Sequence, residues 1–273
     1  MSGKLYVVGT PIGNLGDISP RALETLGIVD FIAAEDTRVT LKLLNKFEIK
    51  KEMISYYEHN KSQKDSIIID RILKGENCAL VSDAGMPAIS DPGEDLVRKC
   101  REMGVEIESV PGPTAVATAL AISGFPTGRF CFEGFLSVNK LSRKEHLEEI
   151  KNEKRTMVFY EAPHKLQATL KDMLAVLGER EIALVKELTK IHENVFITTF
   201  SEALAHFEEN PPKGEYVLIV KGAKEEVQEY SLEDALKIAK GLMEKGESAS
   251  FSAKEAAKIT GIKKGDIYKD ILN

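Results

Sequence analysis

The chain has no apolar run of about 18 residues, the length a membrane-crossing helix requires. No such helix is expected, and no membrane partner. Its start, Met1-Ser2-Gly3-Lys4, passes directly into a strand pattern without the charged-then-apolar leader of a secreted protein, so a cytoplasmic location is expected. Cysteine is scarce: Cys78, Cys100 and Cys131 are far apart and odd in number. Neither a disulfide framework nor a metal spacing follows, and they read as small buried hydrophobes. Among the five histidines, His59, His146, His164, His192 and His206, there is no H-x₃-H pair, so no structural zinc is expected. Positive charge is not in excess. The net charge of −6 argues against whole-surface nucleic-acid binding. A local basic patch remains compatible with it, because charges separated by more than roughly 8–10 Å are screened. The phosphate-cradling patterns G-x-x-x-x-G-K-[ST] and G-x-G-x-x-G are missing, as are internal repeats and low-complexity stretches.

What is present is a set of strands that each run into a rigid turn. Cys78-Ala79-Leu80-Val81 reads as a buried strand and is followed by S-D-A-G-M-P-A-I-S-D-P-G, Ser82 to Gly93, and then a helix from Glu94. Glycine permits positive φ and close backbone approach, and proline fixes φ. Such a turn at the carboxyl end of a parallel strand lies where open α/β sheets bind ligands. Gly9-Thr10-Pro11-Ile12-Gly13-Asn14 follows the strand Leu5 to Val8, Val110-Pro111-Gly112-Pro113-Thr114-Ala115 follows Val105 to Ser109, and Tyr160-Glu161-Ala162-Pro163-His164-Lys165 follows Thr156 to Phe159. The repetition points to one ligand held by several strand ends.

Strand and helix patterns alternate, which predicts an α/β fold. Residues 1–122 read as an amino-terminal α/β domain, with further strands at Asp30–Ala34 and Asn77–Val81 and helices at Pro20–Leu26, Thr37–Phe47, Ser62–Leu73, Glu94–Met103 and Thr114–Ile122. Ser19-Pro20 marks a helix start as N-cap and first-turn proline. The turn-rich stretch Ser123 to Gly128 opens a second α/β domain, 123–224. Its strands are expected at Phe130–Glu133, Thr156–Tyr160, Glu181–Lys186, Val195–Phe200 and Tyr216–Lys221, and its helices at Ser142–Asn152, His164–Leu177 and Ser201–Glu208. Phe135 to Lys144 carries few structure signals and reads as a mobile lid. Residues 225–273 form a linker and a small helical module: Gly222 to Tyr230 is a charged linker, Leu232–Met243 a helix, Ser252 with Glu255 a capping box, and Gly261 a turn before Lys264–Leu272. Helix, glycine turn, helix is a helix-turn-helix pattern. Lys254, Lys258, Lys263, Lys264 and Lys269 suit a nucleic-acid role for it, and a helical cap or dimerisation arm suits it as well.

In order, G-T-P-I-G-N-L-G-D-I-S, A-E-D-T-R, S-D-A-G-M-P-A-I-S-D-P-G, P-G-P-T-A and F-Y-E-A-P-H-K resemble the tetrapyrrole-methylase superfamily, and more narrowly its ribosomal RNA branch, over about Leu5 to Lys221. The resemblance implies a two-domain fold with the cofactor in the interdomain cleft, S-adenosyl-L-methionine as methyl donor, a cytidine 2′-hydroxyl of small-subunit ribosomal RNA within the assembled subunit as acceptor, and a homodimer. It also places Asp83 against the cofactor, although Asp83 equally suits a turn cap. Thr10, Pro11, Gly13, Gly85, Met86, Pro87, Thr114, Ala115 and Tyr160 are the other candidates for the cofactor site. Thr114 also suits a plain N-cap.

Transfer of a sulfonium methyl needs alignment and exclusion of water more than a phosphate cradle. The acceptor hydroxyl needs a group to take its proton, and the candidates are Glu35, Asp36, His59, Glu161 and His164. Arg38 suits an RNA phosphate. Lys186 and Glu187 are expected to pair at a strand end. Arg129, Lys140, Arg143, Lys144, Lys151, Lys154, Arg155 and Lys165, interleaved with Phe130, Phe132, Phe135, Phe159 and Tyr160, suit single-stranded RNA as well as an ordinary core with solvated lysines. Three other functions compete. A tetrapyrrole methyltransferase is disfavoured because its G-x-G-P-G-D turn is replaced here by G-T-P-I-G-N. A non-catalytic RNA-binding or assembly protein has little use for the intact turns. A diphthine-type methyltransferase fits the motifs less well.

Overall fold

The computed structural model describes residues 2–224 and 230–272. The chain forms two compact units, Met1–Ala223 and Lys224–Asn273. The expected linker falls partly on 225–229, outside the described residues.

The first unit begins with a five-stranded sheet, in which β1 (Lys4–Val8), β2 (Phe31–Ala34), β3 (Glu52–Ser55), β4 (Cys78–Val81) and β5 (Glu106–Val110) lie in the order β3-β2-β4-β1-β5. Every pairing is parallel. β2 and β4 are buried along their whole length, as expected of parallel strands covered on both faces. Alternate side chains serve opposite layers. Phe31, Ala33, Cys78 and Leu80 pack under α3 (Lys61–Leu73) and α4 (Glu94–Glu102), whereas Ile32, Ala34, Ala79 and Val81 pack under α1 (Pro20–Ile28) and α2 (Thr37–Lys46). β3 was not expected. It has only four residues and no fully buried one, and it is held as an edge strand by its register with β2.

The strand order creates a switch point. The connection from β1 passes β4 to reach β2, and the connection from β4 passes β1 to reach β5. The turns after β1 and β4 therefore open a crevice at the carboxyl edge, where α/β sheets take ligands.

A second five-stranded sheet has the order β6 (Phe130–Phe135), β7 (Thr156–Glu161), β10 (Tyr216–Val220), β8 (Glu181–Lys186), β9 (Asn194–Thr199). β6 and β7 are parallel and the other pairings antiparallel. One face is covered by α6 (Lys140–Glu149), α7 (Pro163–Leu177) and α8 (Phe200–Glu209) around Phe159, Leu170, Phe200 and Leu218. α5 (Ala115–Ser123), which ends the first 122 residues, packs Ala119 and Leu120 on the other face with Val158, Ala183 and Val217. The segment from Phe135 to Lys144, read as a lid, is held. Leu136 is buried, Asn139 Oδ1 caps α6 through the Leu141 and Ser142 N–H groups, and the Arg143 guanidinium reaches Ser137 O and Asp172.

In the second unit α9 (Leu232–Met243), α10 (Ala249–Thr260) and α11 (Lys264–Ile271) enclose Ala235, Ala239, Ala253, Ala256 and Ile267. Ser252 does not open a capping box. The helix begins a turn earlier, because Ser248 Oγ already accepts the Phe251 N–H, and this leaves Ser252 buried in mid-helix with its hydroxyl unpaired. The capping box of this unit belongs to Ser231 and Asp234. Among the described residues no helix is long and apolar enough to cross a membrane.

Candidate active site

Three turns of the first sheet are fastened to one another. Gly9 N–H donates to Val110 O (3.0 Å), and Thr10 and Gly85 exchange backbone hydrogen bonds of 2.9 and 3.1 Å. Thr10 Oγ1 adds a bond to Ser82 O at 3.2 Å. Within the long turn after β4, Gly85 and Gly93 have φ of +88° and +139°. Ala88 and Ser90 also take left-handed backbone, φ +66° and +63°. Non-glycine residues persist there only where the surroundings impose it, often beside functional sites.

A cavity of about 700 Å³ lies at these strand ends. The first sheet contributes Ile12, Glu35, Asp83, Gly85, Met86 and Asp91, and α5 contributes Thr114 and Ala115 from its first turn. The second sheet supplies Tyr160 and Glu161 from the end of β7, and Val185, Leu188 and Val217 from the neighbouring strands. Phe132 and Phe135 stand edge-on to Tyr160, with ring centres 5.0 and 5.4 Å away.

Glu35 and Asp83 lock two turns together. Asp83 N–H donates to Glu35 Oε2 (3.2 Å) and Asp36 N–H donates to Asp83 Oδ1 (3.0 Å). Burial, reinforced by the neighbouring carboxylates, raises both carboxyl pKa values above the usual range. Asp91 is pushed up further, to about 6, first by burial and then by the charges of Glu35 and Asp83, with the Ser82 hydroxyl bond opposing. Burial likewise raises the Tyr160 phenol to about 12, against the Val116 N–H directed at its oxygen.

Of the residues named from sequence, the cavity thus gathers Glu35, Asp83, Gly85, Met86, Thr114, Ala115, Tyr160 and Glu161. Thr10, Pro11, Gly13 and Pro87 do not line it and act on the shape of the turns instead. A Cβ on Gly13 would stand 2.9 Å from Leu188 O, so only glycine lets this turn reach the loop after β8. Thr114 does both things expected of it, since its hydroxyl also caps α5. Asp36 and Arg38 pair with each other at 2.6 Å outside the cavity, where Asp36 caps α2. His164 is exposed in the first turn of α7, and His59 is exposed against Tyr57. Glu161 is only 4% exposed and accepts from Ala162 N–H and Thr169 Oγ1 at 2.8 and 2.5 Å, a fully engaged carboxylate. Glu187 pairs with Lys190 at 3.1 Å rather than with Lys186.

Sequence reasoning missed Asp91 as a site residue, although it lies inside the quoted turn. It also missed Val185, Leu188 and Val217, whose apolar runs read as ordinary strand core. Among the described residues no group of three or more His, Cys, Asp or Glu is arranged to hold a metal.

The family model for tetrapyrrole (corrin/porphyrin) methylases matches residues 4–204. The chain is 46% identical over 272 residues to ribosomal RNA small subunit methyltransferase I of Synechocystis, covering 98% of this chain and 96% of that one. It is 49% identical over 220 residues to the protein of the same name from Thermotoga maritima, covering 81% of this chain and 99% of the relative. Among solved structures it is similar to uroporphyrin-III C-methyl transferase from Thermus thermophilus complexed with S-adenyl homocysteine, with a TM-score of 0.57, 17% identity and coverage of 80% of this chain and 97% of that one. At that identity the likeness is one of fold.

Proposed function

We propose a function for a chain that belongs to the tetrapyrrole methylases and, among them, to the ribosomal RNA small subunit methyltransferase I family: it methylates the 2′-hydroxyl of a cytidine in 16S ribosomal RNA, with S-adenosyl-L-methionine as donor. The observation that carries this reading is identity of 46% over nearly the whole chain to a ribosomal RNA methyltransferase. The likeness to tetrapyrrole enzymes is one of fold alone, and a fold does not choose a substrate.

The cavity suits the donor. Its volume of about 700 Å³ is within the roughly 300–1,000 Å³ usual for small-molecule sites. Met86, Phe132, Phe135 and Tyr160 offer apolar and aromatic faces to a flat purine, while Glu35, Asp83 and Asp91 offer negative charge to a sulfonium and an ammonium. When bound, S-adenosyl-L-methionine supplies an electrophilic methyl group. The residues of the chain do the rest. The turn 82–93, tied to Thr10, holds the donor in place, with the cavity between the two sheets read as the cleft between domains 1–122 and 123–224. The aromatic side of the cavity excludes water.

Asp91 takes the proton of the attacking hydroxyl. The other cavity carboxylates are engaged: Glu35 and Asp83 by backbone N–H groups, Glu161 by Ala162 and Thr169, and Glu215 by Lys190 at 2.9 Å. Asp91 has only the Ser82 hydroxyl, and a carboxylate near pH 6 is a competent base at neutral pH. The family resemblance adds a cytoplasmic homodimer acting on the assembled subunit.

The test is to incubate the protein with labelled S-adenosyl-L-methionine and small subunits lacking the modification, then to digest the RNA with alkali. A 2′-O-methyl group removes the internal nucleophile, so label should survive in an uncleaved dinucleotide. Label only in mononucleotides would mean base methylation, and no label in RNA would defeat the reading.

A further inference from the structure

The connection between β6 and α6 is rigid, yet it presents apolar side chains to water. Phe135, Val138 and Leu141 are 58%, 73% and 67% exposed. Their backbone is fixed on both sides. Leu136 is buried to 5%, Asn139 caps α6, and Arg143, itself paired with Asp172 at 2.5 Å, donates to Ser137 O at 3.0 Å. An ordered chain that keeps several large apolar groups in solvent marks an interaction surface rather than scattered exposure.

Two further observations say what it meets. Phe135 belongs to the ridge and to the cavity wall at once, so whatever enters the cavity beside Phe135 continues over Val138 and Leu141. Lys140 and Lys144, one helical turn apart in α6, are exposed, and neither forms an ion pair among the described residues. Arg143, Lys151 and Arg155 of the same basic stretch are already paired, with Asp172, Glu148 and Glu153. On a chain of net charge −6, two unpaired cations beside the mouth of an acidic cavity complement a polyanion.

We propose that Phe135, Val138 and Leu141, flanked by Lys140 and Lys144, form the surface that receives the RNA strand adjoining the acceptor nucleotide. Unstacked bases lie on the apolar side chains and the lysines meet the phosphates, the pattern of single-strand binding. The proposal rests on the ribosomal RNA reading and names the part of the chain that holds the substrate outside the cavity. It also separates donor binding, which belongs to the turns, from RNA binding, which belongs to the ridge.

The test uses two double variants of the full chain, Val138→Ser with Leu141→Ser and Lys140→Glu with Lys144→Glu. None of these residues lines the cavity. The KM for unmodified small subunits and direct ribosomal RNA binding should each weaken about tenfold, while S-adenosylhomocysteine affinity by calorimetry stays that of the parent. The lysine pair should also lower the slope of log affinity against log salt by about 1. Unchanged RNA binding in both variants overturns the proposal. So does a change of oligomeric state in place of RNA affinity, which would assign the ridge to a second copy of the chain. A parent that binds ribosomal RNA but never methylates it defeats the enzymatic reading alone, and the direct binding measurement still decides the surface.

Discussion

Gly9 and Gly112 meet backbone to backbone. A Cβ on Gly9 would stand 2.7 Å from Gly112 Cα, and one on Gly112 would stand 2.8 Å from the Gly9 carbonyl carbon. The turns after β1 and β5 approach this closely only because neither residue has a side chain. Gly112→Ala must push the turns apart, with an overpacking cost of about 1–3 kcal/mol. Urea unfolding should show that loss together with weaker S-adenosylhomocysteine binding. A variant with parental stability and affinity would mean that the contact does not hold the cavity in shape.

Asp83 sits at the centre of the lock between two turns, as acceptor for Asp36 N–H and backbone donor to Glu35. Asp83→Ala removes the acceptor and one of the three carboxylates facing the donor. Calorimetry should record a loss of donor affinity of about tenfold or more, the scale of one charge-assisted hydrogen bond. If both donor binding and methyl transfer were unchanged, the placement of the cofactor at this turn would be wrong.

Asp91 makes two separable predictions. As proton acceptor, its replacement in Asp91→Asn should lower kcat by about a hundredfold or more and abolish the rise of activity through pH 6. For stability the sign is opposite. The folded carboxyl titrates at about 6 against about 3.9 in an unfolded chain. The native state therefore holds the proton more tightly, and stability falls as pH rises through that window and stays lower above it. Asp91→Asn should be more stable than the parent at pH 7.5, by about 1 kcal/mol after solvent screening of this partly exposed group. The two should converge at pH 4 or below. Thermal melts at both pH values check this, and a variant less stable at pH 7.5 contradicts it.

Glu161 behaves differently despite its place in the cavity wall. Its replacement by Ala leaves Ala162 N–H and the buried Thr169 hydroxyl without their acceptor, a loss of about 1–3 kcal/mol in stability. Single-turnover methylation by the folded fraction of Glu161→Ala should remain well above that of Asp91→Asn. Equal losses would return Glu161 to the list of proton acceptors.

The unit Met1–Ala223 has its own core, and the Thermotoga maritima relative is matched over 99% of its length by 81% of this chain. A chain ending at residue 223 should therefore keep its melting transition and S-adenosylhomocysteine affinity. Loss of cooperative unfolding would show that the helical module is part of the fold that binds the donor.

Much of this was written locally. The alternation of strand and helix, the four rigid turns and the Ser19-Pro20 helix start depend on residues within a few positions of one another, and so could be read along the chain. β3 escaped because four half-polar residues become a strand only through pairing with β2. The start of α10 escaped because Ser248 and Ser252 are equally good caps in isolation, and the packing of Ala253 and Ala256 puts Ser252 inside the helix.

The choice among the polar residues of the site was made by tertiary structure. Sequence offered Glu35, Asp36, His59, Glu161 and His164 on equal terms. Folding left both histidines exposed, tied Asp36 to Arg38 and filled the acceptor positions of Glu161. It left Asp91 in the cavity, beside two like charges and with a single hydroxyl partner. Sequence therefore determined the order of the elements, the stiffness of the turns and the family, because those are properties of neighbouring residues. Burial, the proximity of charges and the donor that satisfies each carboxylate depend on groups tens of residues away, and only the packing of the two sheets brings those groups together.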